Sequence, residues 1–132
     1  MRIGVLVVAA ALSAVGASGA WGAAGTTVSV QLKEFKVIPK PASAKPGTVT
    51  FSVKNVGKVD HELVVVMTST APGKLPVKGS KASEKGKVGR VAALKPGKSG
   101  KVTLNVKAGK YVLLCNVPGH YQAGQYVGLT VK

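Results

Sequence analysis

The sequence predicts an all-β protein, a sandwich of about seven strands, and three observations carry that prediction. Apolar and polar residues alternate with period two along much of the chain, the pattern of strands with one buried face. Seventeen glycines and seven prolines supply frequent tight turns. A composition rich in valine and threonine, with only 5% aromatic residues, favours short strands over helices. At 132 residues the chain holds one domain with a modest core.

Residues 1–24 read as an export leader, with Arg2 as the charged start, an apolar stretch over 3–15 and small residues through Ala24. Cleavage is expected after Ala20 or Ala24, leaving a domain over 25–132 in the periplasm or outside the cell. The apolar stretch is shorter than the roughly 20 residues of a spanning helix, and an uncleaved anchor is the alternative. No cysteine lies near the cleavage region to carry a lipid.

The first strand follows, with Val28, Val30 and Leu32 alternating against Ser29 and Gln31. Lys45-Pro46-Gly47 makes a turn into a strand over 48–55, where Val49, Phe51 and Val53 share one face. From His61 the chain runs through Leu63-Val64-Val65-Val66, apolar on both faces, which predicts a central strand. Residues 68–90 break the alternation with six basic side chains among glycine, serine and proline. They predict a long exposed connection with a helical turn near Lys81 to Lys85. Strands resume over 88–94 and 101–106, separated by the turn Lys95-Pro96-Gly97-Lys98. After a turn at Lys107-Ala108-Gly109-Lys110, strands over 111–115 and 126–131 complete the set.

The formal charge is +15, from 19 Lys and Arg against four acids. Such a field attracts acidic proteins or anionic lipid headgroups, although solubility alone also accounts for it. Nucleic acid is not expected, since the chain is exported and offers few aromatics to stack on bases.

Cys115 is the only cysteine and His120 one of two histidines, yet they share the short loop Cys115-Asn116-Val117-Pro118-Gly119-His120. An unpaired thiol outside the cytoplasm is either an inert buried residue or a metal ligand. Strand parity favours the ligand. Cys115 shares a face with Leu113 and Tyr111, His61 with Leu63 and Val65, and Gln125 with Val127, Leu129 and Val131. One thiolate and two imidazoles match the equatorial plane of a blue-copper site, with a weaker axial ligand completing it. Zinc would also accept this set.

Asn55-Val56-Gly57 followed by Asp60-His61, and then Tyr111 to Tyr121 around Cys115 and His120, resemble the cupredoxins, the plastocyanin, azurin and pseudoazurin superfamily. The resemblance spans the exported domain. It implies a Greek-key topology, one type 1 copper ion, and His61, Cys115 and His120 as equatorial ligands, with His120 at the surface as the electron port. The usual axial methionine is replaced by Gln125, whose amide oxygen is a harder donor and favours Cu(II). A Gln125 that does not ligate, over a three-coordinate copper, is the alternative. Met67 could be offered as a replacement sulfur, but a methionine closing a valine-rich strand is more often core filler.

Asn116, Pro118 and Glu62 neighbour the ligands and are candidates for orienting them. By resemblance, the Asn116 backbone amide hydrogen-bonds the thiolate. Glu62, where relatives carry asparagine, either balances charge or ligates the metal. A binuclear thiolate centre needs a second cysteine, and multicopper catalysis needs further histidines, so an enzyme is not expected. Three functions remain: a monomeric shuttle of single electrons between envelope redox partners with acidic docking surfaces, a copper-trafficking or sequestration module, and a metal-free interaction sandwich.

Overall fold

The computed structural model describes residues 25–132. The leader and its cleavage points lie outside the described residues. Among those residues no helix is long and apolar enough to cross a membrane.

Two sheets face each other. One has the order β2-β1-β4-β9, built from β1 (Thr26–Lys33), β2 (Lys36–Lys40), β4 (Gly47–Asn55) and β9 (Ser99–Val106). The other has the order β3-β11-β10-β5-β8, from β3 (Ser43–Ala44), β5 (His61–Met67), β8 (Lys87–Leu94), β10 (Gly109–Leu114) and β11 (Tyr126–Val131). Parallel pairing of β1 with β4 and of β3 with β11 sets long connections between the sheets, as in a Greek-key sandwich.

The alternating residues sit as their parity requires. Val28, Val30 and Leu32 from one sheet and Leu63, Val65, Leu113 and Leu129 from the other join a single buried core. Phe51 is its largest fully buried side chain.

The apolar residues on the other face of β5 have a different destination. Val64, Val66, Val112 and Leu114 form a second core, closed by Leu75, Ala82 and Tyr121. The cover comes from the basic stretch, which is more ordered than its composition suggests. It contains a 3-10 turn (Pro72–Lys74) and a hairpin of β6 (Val77–Lys78) and β7 (Lys81–Ala82), with lysines exposed outward. The expected helical turn at Lys81 to Lys85 is absent, because Lys81 and Ala82 pair with Lys78 and Val77. Ala82 is thereby turned onto the second core.

Candidate metal centre

Four side chains meet at one end of the sandwich. His61 opens β5, Cys115 follows β10 directly, and His120 and Gln125 come from the loop that returns to β11. The Cys115 amide donates to the Gln125 carbonyl at 3.1 Å, which closes the loop at its base. Inside it the chain coils tightly, His120 donating to Val117 and Gln125 to His120. Gly119, at φ 82°, allows the coil to begin.

Both imidazoles present Nδ1 to the sulfur. His61 Nδ1 is 3.8 Å and His120 Nδ1 3.4 Å from Cys115 Sγ. Their ligand atoms all lie within 4.8 Å of one another. His61 and Cys115 have no exposed surface, whereas His120 is half-buried.

The Gln125 side chain is also fully buried. Its Nε2 donates to the carbonyls of Lys33 at 3.1 Å and Lys36 at 3.3 Å. Two carbonyl acceptors identify that end as the NH2 group. Oε1 is left without a hydrogen-bond partner, a buried polar atom of the kind folded proteins rarely leave orphaned. A soft sulfur, two imidazole nitrogens and one unengaged amide oxygen fit a type 1 copper ion.

The electrostatics suit metal capture. Burial pushes the Cys115 thiol up, partly opposed by amides of Glu62 and Val117. The copper-free residue is therefore a thiol that must release its proton to bind a metal. Burial, then the neighbouring His61, lower the pKa of His120, opposed by the Gln125 side-chain oxygen, which approaches the ring without the geometry of a hydrogen bond, and by the charges of Glu34 and Glu62. The depressed value keeps His120 neutral and ready to ligate.

The neighbours of the ligands differ from expectation in three ways. The resolved amide contact to Sγ comes from Glu62, at 3.3 Å, with Val117 as the other donor, not from Asn116. Asn116 instead uses its side chain to hold Ala82 and Glu84 in the covering segment. The Glu62 carboxylate lies 3.5 Å from Arg90 and is not in the cluster of ligand atoms formed by His61, Cys115 and His120. Pro118 is exposed on the loop. Met67 is 37% exposed at the far end of β5, roughly 20 Å from His61, which removes it both as a ligand and as core filler.

Sequence reasoning missed Glu34. This residue sits in the two-residue turn joining β1 and β2, and its Oε1 accepts from His61 Nε2 at 2.8 Å. The same oxygen accepts from the amides of Lys58 at 2.8 Å and Val59 at 3.0 Å. Those donors, His61 first, lower the carboxyl pKa to about 2. Next in the turn, Phe35 packs edge-on against both imidazoles, its ring 5.0 Å from that of His120. The available signal was scarcity: only four acids exist, and Glu34 closely follows the first predicted strand.

Comparison with known proteins finds relatives of this chain. The sulfocyanin (SoxE) domain model matches residues 5–132. The copper-resistant cuproprotein CopI of Pseudomonas aeruginosa is 28% identical, the match covering 83% of this chain and 77% of CopI. Among solved structures, dithionite-reduced auracyanin from the photosynthetic bacterium Roseiflexus castenholzii aligns with a TM-score of 0.63 and 25% identity. That alignment covers 81% of this chain and 97% of auracyanin. Rusticyanin from Thiobacillus ferrooxidans has the same fold, with a TM-score of 0.63 at 21% identity over 82% of this chain and 77% of rusticyanin.

Proposed function

Since this chain belongs to the sulfocyanin (SoxE) domain family, a cupredoxin family, we propose that it is an exported type 1 copper protein carrying single electrons between envelope redox partners. It is not an enzyme. The convergence of His61 Nδ1 and His120 Nδ1 on Cys115 Sγ, within a buried pocket, is the observation that carries the reading. His61, Cys115 and His120 would hold the ion, with Gln125 Oε1 as the fourth donor. Copper supplies the one-electron couple when bound.

The chain's own residues do the rest. Ligands from the start of β5 and from the loop between β10 and β11 are anchored to a close-packed sandwich, which resists change of geometry between oxidation states. Burial of His61, Cys115 and Gln125 would keep water from a bound ion. Half-exposed His120 offers the short route for an electron to the surface. The exposed lysines of residues 71–90 would steer an acidic redox partner, and the leader would carry the chain to the envelope. An anionic membrane surface would attract the same lysines.

The neighbour auracyanin has been crystallised after dithionite reduction, which supports a redox role. CopI favours a second reading, in which this protein binds copper for resistance or trafficking. Titrating the exported domain with Cu(II), on wild type and on Cys115→Ser, separates the readings. A shuttle gives an intense visible thiolate-to-copper band and reversible voltammetry. A trafficking module exchanges copper readily without a reversible couple, and a colourless wild type refutes the type 1 assignment.

A further inference from the structure

We propose that Glu34 is a positioning residue for His61, fixing the imidazole as the Nε2–H tautomer through its carboxylate so that the Nδ1 lone pair faces Cys115. The inference rests on the copper reading for its redox consequence, but its structural core concerns this chain alone.

Three observations carry it. His61 is fully buried, so no solvent competes for Nε2, and among the described residues the only polar partner of that nitrogen is Glu34 Oε1 at 2.8 Å. A carboxylate can only accept there, so the proton belongs on Nε2 and the lone pair on Nδ1. The same oxygen takes the amides of Lys58 and Val59 in the segment that leads into His61. One atom thus sets both the ring and the backbone carrying it. Room for this atom depends on Gly57, because a Cβ there would collide with Glu34 Oε1.

The other acids near His61 do not substitute for it. Glu62 pairs with Arg90, and Asp60 is exposed. The turn that bears Glu34 also supplies Phe35 against both imidazoles and the Lys33 and Lys36 carbonyls that hold Gln125. It therefore braces three of the four ligand candidates from the opposite sheet. A carboxylate behind a ligating imidazole raises ligand basicity and stabilises the more positive metal state.

The test uses E34Q and E34A of the exported domain. Nitrogen-15 NMR of the copper-free protein should show His61 solely as the Nε2–H tautomer in wild type and as a mixture in E34A. With copper, E34A should bind Cu(II) about 10–100-fold more weakly. E34Q keeps a neutral acceptor of similar size and should raise the reduction potential while retaining the tautomer. An unchanged tautomer in E34A, or an unchanged or lowered potential in E34Q, overturns the proposal. Should E34A fail to fold, the potential of E34Q decides alone. Failure of wild type to bind copper would sink the copper reading instead, and the copper-free tautomer measurement would still decide the role of Glu34.

Discussion

Gln125 Nε2 donates to the Lys33 carbonyl at 3.1 Å, and that contact decides which end of the amide faces the metal centre. With the NH2 group committed to the β1–β2 turn, Oε1 is the free end, buried and without a partner. Gln125→Met replaces a hard oxygen by a soft thioether, which favours Cu(I). The reduction potential should rise, by about 59 mV for each tenfold shift in relative affinity for the two oxidation states. Voltammetry showing an unchanged or lower potential would remove Gln125 from the ligand set.

Cys115→Ser should abolish the visible band while leaving the sandwich folded. The substitution changes one atom in a site whose surroundings, including the Glu62 amide, persist. Near-total loss of absorbance alongside wild-type amide spectra is the expected result. A band that survives would mean the thiolate is not its source.

Asn55 connects the fold to the site by hydrogen bonds rather than by ligation. Its side chain is fully buried, donates to the carbonyls of Val59 and Leu94 at 2.7 Å each, and accepts from the Gly57 amide at 2.8 Å. Asn55→Ala strands three backbone groups, two in the turn that precedes His61 and one at the end of β8. Leaving buried groups unsatisfied costs about 1–3 kcal/mol apiece, so denaturant melts should show a loss of at least that size. Copper affinity should fall with it, because the turn positions His61. A variant as stable as wild type would show that water satisfies those groups.

The strands whose inward residues alternate were legible because one face of each is buried in the common core. Val28 and Val30, or Phe51 and Val53, could be placed by period alone. Parity likewise aimed His61, Cys115 and Gln125 inward. β2 escaped notice because Lys36–Lys40 carries Pro39 among lysines, a pattern tolerated only on an edge, which is where β2 lies. The order within residues 68–86 escaped for another reason. Its few apolar residues, Leu75 and Ala82, have no local partner and acquire one only on the outer face of β5 and β10. Glu34 was invisible because its partner lies 27 positions away in the other sheet, a relation that no local spacing encodes.

Tyr121 fastens that covering segment. Its hydroxyl donates to the Pro72 carbonyl at 2.6 Å and accepts from the Leu75 amide at 2.9 Å. Tyr121→Phe keeps the ring in the second core and removes both bonds, a loss of about 1–3 kcal/mol. Proteolysis should then cut within residues 68–86 sooner than in wild type, with the visible band retained. Equal protease resistance would mean that the apolar contacts of Leu75 and Ala82 alone hold the segment.

Stability of the copper-free protein should be greatest between about pH 6.5 and pH 9, bounded on each side by a different ligand candidate. On the acid side, His120 has a lowered pKa, so the unfolded chain takes up a proton before the folded one does. Stability therefore declines as pH falls below the ordinary imidazole value. Glu34, lowered to about 2, adds a second decline. Its contribution is complete above the ordinary carboxyl value near 4.5 and is lost as pH falls toward 2. On the alkaline side the sign reverses for Cys115, whose pKa is raised. There the unfolded chain gives up the thiol proton first, so stability falls as pH rises above about 9. Chemical denaturation from pH 2 to 10 reads all three. In Glu34→Gln the decline between pH 4.5 and 2 should flatten, and in Cys115→Ser the alkaline decline should flatten, each leaving the other in place. A wild-type profile in Glu34→Gln would show that other carboxylates carry the acid transition.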